Sequence, residues 1–237
     1  MTTGRYPPAV PRLLASLTVV MAIADAACGQ HESPAQKTAH ERQNQARQVA
    51  TKAGLSPAVR DFMALYSTAA SNSYTVTYAP SPSGTTIALI QDPPLRRADA
   101  VTGSITRSVF VTRQGTYDCD LQNQQWTCQQ AQQQEAQPGL LAPADIDRFI
   151  AELKTATTNY TFAVSNKKIA GTDTKCLVTK PKPGVAGTGS TLCLSSLGAV
   201  LLVEGNGNPL RAVKYSTSVD KRRLELPTAP EPPQPKP

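Results

Sequence analysis

Tyr74-Thr75-Val76-Thr77-Tyr78 alternates aromatic or aliphatic side chains with threonine, and this stretch decides the fold class. Alternation with a period of two is typical of a β-strand that buries one of its faces. The turn-forming segment Pro80-Ser81-Pro82-Ser83-Gly84 follows, and Thr86-Ile87-Ala88-Leu89-Ile90 then predicts a second strand that ends at Asp92-Pro93-Pro94. The sequence therefore predicts an antiparallel meander that begins at Tyr74.

Short strand-like segments continue on both sides of one helical stretch. Gly103 and Gln114-Gly115 supply turns in the first run, and Gly171, Gly198 and a glycine-rich loop punctuate the second. The further strands predicted in the first run are 96–102, 105–112, 116–121 and 126–129. Those predicted in the second run are 160–164, 168–170, 175–179, 191–194, 199–203 and 211–218.

Two segments with helical spacing frame the first run of strands. Ser56-Pro57 is an N-cap followed by proline at the first helical position, and a weaker helix precedes Gly54. The apolar face of this first predicted helix consists of Val59, Phe62, Met63 and Tyr66. Pro143 opens the second helix, whose apolar face consists of Ile146, Phe149, Ile150 and Leu153.

The order of these segments predicts an α+β fold. Loops between the strands are short enough for antiparallel pairing throughout, so all the strands can belong to one sheet. We therefore expect one large antiparallel sheet with the helices packed on one face.

The N-terminal stretch 13–29 has the layout of a bacterial export signal. Arg5 and Arg12 precede a short apolar run, and small residues precede Cys28. A cysteine directly after the cleavage point resembles a lipobox, in which the thiol receives diacylglycerol and further fatty acid such as palmitate. Asp25 stands where a lipobox usually has leucine, so ordinary secretion stays open as an alternative. The apolar run is too short for a transmembrane helix, which needs about 20 residues.

These features predict four segments along the chain. Residues 1–27 are the signal peptide, and residues 28–44 are a lipidated flexible tether that carries both histidines, His31 and His40. Residues 45–226 are a single folded domain. Residues 227–237 contain many prolines and are expected to be a disordered tail. The processed protein is expected on the extracytoplasmic face of the cell membrane, held there by its lipid, and to be a monomer.

Five cysteines leave four after Cys28 is lipidated, and an export signal places these four in an oxidising compartment. Sequence alone allows more than one pairing. Cys119 and Cys128 flank a turn around Asn123, and Cys176 and Cys193 flank a loop centred on Pro183-Gly184-Val185. Since each pair is placed like opposite residues of a hairpin, we predict the disulfides Cys119–Cys128 and Cys176–Cys193. No CxxC motif occurs and no histidine lies nearby, so we predict no metal site.

Composition and motifs favour a protein without enzymatic activity. The predicted domain has no histidine, which excludes Ser-His-Asp and Cys-His nucleophiles, and its glycine loop lacks the GK[ST] ending of a phosphate loop. Asp118 and Asp120 share one strand face, where a carboxylate pair could serve acid–base chemistry or Ca²⁺, but a solvent-facing pair on an edge hairpin is favoured. The net charge of +7 would raise nucleic acid as a partner inside a cell. For an exported chain it favours anionic headgroups or wall polymers, and no cofactor is expected.

Several segments together resemble the LolA-like lipoprotein-carrier superfamily, which includes mycobacterial lipid carriers of the LppX and LprG type. The similarity extends to other actinobacterial lipoproteins and spans about residues 55–220. The segments that carry it are 115–119, 126–128, 174–176, 192–194 and 198–203. The resemblance implies a half-barrel whose concave face holds acyl chains, but no ligand-contact residue can be transferred. We therefore expect a carrier or sensor for an apolar ligand. The alternative is an envelope interaction or structural protein whose half-barrel is filled by its own core.

Overall fold

The computed structural model describes residues 39–131, 146–205 and 209–231. Helices α1 (Ala39–Lys52) and α2 (Pro57–Thr68) precede the sheet, and α3 (Ile146–Ala156) separates its two runs of strands. The first run contains β1 (Tyr74–Tyr78), β2 (Thr86–Asp92), β3 (Leu95–Thr102), β4 (Ile105–Val111), β5 (Thr116–Gln122) and β6 (Gln125–Gln130). The second contains β7 (Tyr160–Ile169), β8 (Thr172–Pro181), β9 (Ser190–Leu194), β10 (Val200–Glu204) and β11 (Leu210–Ser216).

The described strands form one 11-stranded antiparallel sheet in the order β6-β5-β4-β3-β2-β1-β11-β10-β9-β8-β7. Strands that follow each other in the chain pair with each other, except β6 and β7, which form the two edges. At the centre β1 pairs with β11, and Val76 stands opposite Tyr215. The sheet is curved and open, with β6 and β7 at its two edges. The predicted α+β class with a large curved antiparallel sheet is confirmed.

The helix predicted after Ser56-Pro57 is α2, and Val59, Phe62 and Met63 are buried as its pattern indicated. Helix α1, however, begins at Ala39, inside the segment 28–44 that was predicted as a flexible tether. Its inward side chains include Ala46 and Ala50, which are fully buried. The weaker helix expected before Gly54 is α1. Its apolar signal is weak because its buried face consists of small alanines in an otherwise polar sequence.

Strand β7 differs most from its prediction, because the structure joins the segments 160–164 and 168–170 into one strand of ten residues. The polar residues Ser165, Asn166 and Lys167 suggested a break between them. As an edge strand, β7 pairs only with β8, and water can reach much of its surface. Polar residues are therefore compatible with a continuous strand there.

Two buried layers hold the described fold together, and successive residues of β8 and β9 divide between them. We call the first the helix core; it lies between the helices and the sheet and includes Phe62, Met63, Ile150, Leu153, Leu177 and Leu194. The second, the sheet core, includes Val76, Tyr78, Leu89, Leu201, Cys176 and Cys193. Leu177 and Cys176 point to opposite faces of β8 because side chains alternate along a strand.

Both predicted disulfides are present. Cys119 on β5 is directly opposite Cys128 on β6, with a Cα–Cα distance of 4.1 Å. Cys176 on β8 is likewise opposite Cys193 on β9, with a Cα–Cα distance of 4.0 Å. Each bridge thus joins neighbouring strands at one register position and fixes that register.

The C-terminal segment 220–231 packs on the sheet face that carries the first disulfide. Leu224 is buried, and Leu226 packs against the cluster formed by Phe110, Tyr117 and the Cys119–Cys128 bridge. The amide of Glu231 donates a hydrogen bond to the carbonyl of Cys128 at 2.8 Å, beside β6. The start of the proline-rich stretch 227–237, which was predicted as a disordered tail, therefore lies against the sheet as far as Glu231.

Candidate functional site

An apolar row crosses four neighbouring strands on one face of the sheet. The register places Val76, Leu89, Ala98 and Val109 side by side on β1 to β4, and we call these four residues the apolar row. Gln91 lies two residues beyond Leu89 and therefore on the same face. Its side-chain amide donates hydrogen bonds to the carbonyls of Ala69 and Asn72, just after α2. The row thus occupies the face of the sheet on which α2 ends.

Burial decreases along this row from the centre of the sheet outward. Val76 is completely buried, Leu89 and Ala98 are 5% and 7% exposed, and Val109 is only half-buried. The row therefore begins inside the sheet core and emerges at β4 as a partly exposed apolar surface.

Four tyrosines surround the inner end of the row. Tyr66 comes from α2, Tyr74 and Tyr78 from β1, and Tyr215 from β11. The hydroxyl of Tyr78 donates to the carbonyl of Val200 at 2.8 Å, whereas the buried hydroxyl of Tyr215 has no hydrogen-bond partner among the described residues. The ring of Tyr66 meets that of Phe149 on α3 edge to face, with centroids 5.4 Å apart. This cluster links the helices to the junction of β1 and β11.

Burial controls the protonation of three of these phenols. It raises the pKa of Tyr66 to about 12, and the nearby carboxylate of Glu152 acts in the same direction. Burial also raises the pKa of Tyr74 and of Tyr78 well above the ordinary value for tyrosine. The three phenols are therefore neutral hydroxyl groups at physiological pH.

A groove of about 870 Å³ opens between α1, α2 and the hairpin of β7 and β8. Gln43 and Arg47 of α1 and Asp61 and Leu65 of α2 form one side. The other side consists of Asn166, Lys167, Lys168, Asp173, Thr174 and Lys175 from the hairpin, together with Ser196. Among these lining residues Leu65 is the one with an aliphatic side chain, and the others carry polar or charged groups. Its size falls within the range of small-molecule sites, about 300–1,000 Å³.

The helix-facing side of the hairpin changes from apolar to polar where the groove begins. Val164 and Leu177 are register partners that pack in the helix core. The next pairs on this face are Asn166 with Lys175 and then Lys168 with Asp173. The groove is thus the polar continuation of the surface that the helices cover.

Ion pairs neutralise part of the groove. The guanidinium of Arg47 lies 3.1 Å from the carboxylate of Asp61, and the ammonium of Lys167 lies 3.6 Å from that of Glu204. Lys168 and Lys175 form no ion pair within the described part of the chain, and both are exposed. These two ammonium groups are therefore available to an anionic ligand.

The groove and the apolar row lie in different parts of the sheet. Register pairs connect Leu177 to Leu192, Leu192 to Val203, and Val203 to Leu210, and thus lead from β8 to β11. Ala212, two residues beyond Leu210, is in turn opposite Tyr78. The row therefore begins on β1, which β11, β10 and β9 separate from the hairpin strand β8, and it leads away from the groove toward β4.

The predicted site residues fall into three groups. Cys28 lies outside the described residues, and so does Pro143, which was expected to open the second helix. The four remaining cysteines form the two disulfides. Asp120 lies on β5, next to the edge strand β6, where it pairs with Arg107 of β4 at 3.7 Å and both side chains are exposed. Within the described residues, no group of three or more His, Cys, Asp or Glu side chains is arranged to hold a metal ion.

The polar groove was not foreseen from the sequence, although a signal for it exists. The helix-facing positions of β7 are every second residue: Phe162, Val164, Asn166 and Lys168. The alternation of a strand therefore continues past Val164, while the side chains change from apolar to polar. The prediction had ended the strand at Val164. Because it also made 168–170 a separate strand, it could not place Lys168 opposite the β8 residues.

Comparisons with known proteins do not assign this chain to a family. No protein-family model matches the chain, and no curated protein matches it either. A structure titled "Crystal structure of MucB" is similar with a TM-score of 0.47 and 16% sequence identity, over 70% of this chain. The matched part spans 62% of the length of that protein. A similarity of this size carries no argument about function. Among the helices in 39–131, 146–205 and 209–231, none combines the length and apolar character of a membrane span.

Proposed function

We propose that this protein is an exported lipoprotein of the cell envelope that binds a lipid-like ligand as a carrier or sensor and catalyses no reaction. A diacylglycerol on Cys28 would hold it at the extracytoplasmic face of the membrane. The observation that carries the binding function is the apolar row, which leaves the sheet core and becomes accessible at Val109.

An accessible aliphatic surface at the end of a buried row suits an alkyl chain. Each methylene that leaves water for such a surface contributes about 0.8 kcal/mol, so a chain of several methylenes can bind without a charged contact. The hydroxyl of Tyr215 provides a polar group at the inner end of the row, opposite Val76. Ligand sites are commonly apolar with a few polar groups that fix orientation.

Native mass spectrometry of the full chain, with Cys28→Ser to prevent acylation, tests the binding function. We expect a monomer with an additional mass that organic solvent extracts as lipid. Val109→Trp should fill the outer end of the row and abolish that mass, while the melting temperature changes little because Val109 is half-buried. Val213→Trp provides the matched control, since Val213 on β11 is 57% exposed and outside the row.

The alternative function is an interaction protein whose core is already filled. Leu89 and Ala98 favour this alternative, because other side chains of the protein already bury both of them. In that case the chain would have its apo mass after gentle purification, and no lipid would bind when it is added. This result would overturn the carrier or sensor function.

Metabolic labelling with an alkyne fatty acid in a bacterial host tests the anchor. We expect label on the full chain, loss of label in Cys28→Ser, and release of that variant from the membrane. If the unlabelled wild-type chain appears in the medium, then Asp25 blocks lipidation and the protein is simply secreted. Asp25→Leu would restore the usual lipobox residue and provides the positive control.

A further inference from the structure

We propose that Arg96 of β3, assisted by Arg42 of α1, binds a phosphate-type headgroup on the ligand. This inference rests on the proposed function and specifies its ligand as an anionic amphipathic lipid. The acyl chain would lie against the apolar row, and the headgroup would lie beside the accessible end of that row.

Position is the first argument, because a second row of residues runs beside the apolar row on the same strands. The register places side by side, on β1 to β4, Tyr74, Gln91, Arg96 and Val111. Each of them is two residues away from a member of the apolar row. Side chains with this spacing share one face of the sheet, and their Cα atoms are about 7 Å apart. Arg96 is thus a direct neighbour of Ala98, and the ligand does not have to cross the sheet.

Access is the second argument. Arg96 is 8% exposed, so its guanidinium is a buried charge. Its register partner on β4 is Val111, just as Val109 is the partner of Ala98. Both valines are half-buried, and the same accessible surface therefore borders the apolar row and Arg96. A headgroup that lies over Val111 can contact the guanidinium while its acyl chain contacts Val109.

Charge is the third argument, because two guanidinium groups lie near each other here. Burial lowers the pKa of Arg96, and the positive charge of Arg42 acts in the same direction. Burial lowers the pKa of Arg42 as well. Both groups nevertheless stay charged at physiological pH, since arginine remains protonated in proteins. An anion beside them would favour both charged forms.

The remaining groups at this position are compatible with a bound anion. Arg96 has a further contact within the protein. A guanidinium has five N–H donors, so Arg96 can keep that contact and still donate to a phosphate oxygen. Asp118 on β5 is opposite Val109, at the outer end of the apolar row. Together with Arg42 and Arg96 it leaves one net positive charge, and it directs the anionic group toward β3.

The arrangement predicts a clear preference for charge. Two guanidinium groups close to a phosphate should favour an anionic over a neutral headgroup by about tenfold. Because Arg96 is buried, salt should screen this attraction less than it screens an attraction between exposed charges. We therefore expect most of the preference to persist at about 0.15 M salt.

Binding of two lipids with identical acyl chains tests the inference on the full chain with Cys28→Ser. Dioctanoyl phosphatidylglycerol is the anionic probe and dioctanoylglycerol is the neutral probe. We expect the chain with native arginines to bind the anionic lipid about tenfold more tightly. Arg96→Gln should bind both lipids equally, and Arg42→Gln should lose part of the preference. Arg211→Gln removes the same charge from an exposed position on β11 and should leave the preference unchanged.

Each variant can contradict the inference. A folded Arg96→Gln chain that keeps the preference would overturn it, and so would a loss of preference in Arg211→Gln. If Arg96→Gln does not fold, Arg42→Gln decides, because Arg42 is only half-buried. An unchanged preference in that variant would then overturn the inference.

Two further outcomes separate the inference from the proposed function. If the chain with native arginines binds both lipids equally, Arg96 is not a headgroup site although lipid binding stands. If neither lipid binds, the proposed function fails and the lipid headgroup is overturned with it. A third arm uses inorganic phosphate alone, followed by the chemical shift of the Nε–H group of Arg96. Saturable binding of phosphate without lipid binding would identify a free phosphate-type anion as the occupant instead.

Discussion

The carbonyl oxygen of Leu65 lies 2.5 Å from the position that a Cβ atom on Gly198 would occupy. The backbone nitrogen of Ala69 is 2.8 Å from the same position, and Gly198 has a φ of +80°. The last turn of α2 therefore rests directly on the turn between β9 and β10. The side chain of Asn72 secures the contact, because its amide donates to the carbonyls of both Thr68 and Leu197.

Gly198→Ala should destabilise the protein strongly. The new methyl group would clash with the backbone of α2. In addition, a left-handed conformation costs about 1–2 kcal/mol for a residue with a Cβ atom. We expect a total loss of at least about 3 kcal/mol in urea unfolding. Gly103→Ala is the matched control, since φ there is +59° but no atom lies within 4 Å of the added methyl group. Equal losses for both variants would contradict the close contact.

Asp99→Ala should loosen the C-terminal segment. The buried carboxylate of Asp99 accepts hydrogen bonds from Arg97 at 2.6 Å and Ser108 at 2.7 Å, and Arg223 lies 3.5 Å away. Breaking a buried ion pair commonly costs about 3 kcal/mol or more, because the partner stays buried without its counter-charge. We expect such a loss and faster proteolysis around residues 220–226.

Asp120→Ala is the control for that experiment, since Asp120 forms an exposed pair with Arg107 and its loss should cost at most about 1 kcal/mol. Similar losses in Asp99→Ala and Asp120→Ala would show that the buried network does not hold the segment.

Removal of either disulfide should lower stability by about 2–3 kcal/mol, through the greater freedom of the unfolded chain. The Cys176–Cys193 bridge closes a sequence separation of 17 residues against 9 for Cys119–Cys128, and its cysteines are completely buried. Replacement of Cys176 and Cys193 by alanine should therefore cost more than the same change at Cys119 and Cys128. Unfolding in excess reductant provides the check, because the difference between wild type and each double variant should then become smaller.

Stability should fall at alkaline pH. The pKa of Tyr66 is about 12 in the folded protein and about 10 in an unfolded chain, so the folded state holds this proton more tightly. The resulting stabilisation is complete below pH 10 and disappears as the pH rises through about 12. Absorbance of tyrosinate together with urea unfolding at pH 9 to 12 measures both effects. Tyr66→Phe should reduce this pH dependence and leave the part that Tyr74 and Tyr78 contribute. An unchanged slope would contradict a contribution from Tyr66.

The sequence predicts most of this fold because its local signals agree with one another. Period-two segments, glycine turns and cysteines opposite each other all specify the same hairpins, and both disulfides follow from them. The pairing of β1 with β11 has no such signal, because these strands are far apart in the chain. The start of α1 at Ala39 was missed for a different reason, since the buried face of this helix consists of small side chains such as Ala46 and Ala50.

The candidate site is less predictable than the fold. The sequence predicts only part of the apolar row. Alternation along β2 indicates that the side chain of Leu89 is buried, but it does not show that Ala98 and Val109 lie beside it. The groove requires Arg47 of α1 to meet Lys168 of β7, two residues that only tertiary packing brings together. Its chemistry thus depends on the relative placement of three elements rather than on a motif.

The single non-local pairing in the sheet has a consequence for how the chain folds. The hairpins β2 to β6 and β7 to β11 involve close neighbours in sequence, so each can form within its own half of the polypeptide. The pairing of Val76 with Tyr215 must instead close a very long loop. The entropy of closure is lost before the contacts of the shared core can stabilise the pairing. We therefore expect each half to gain structure on its own before the two halves pair. The joining of the halves at β1 and β11 should then set the folding rate.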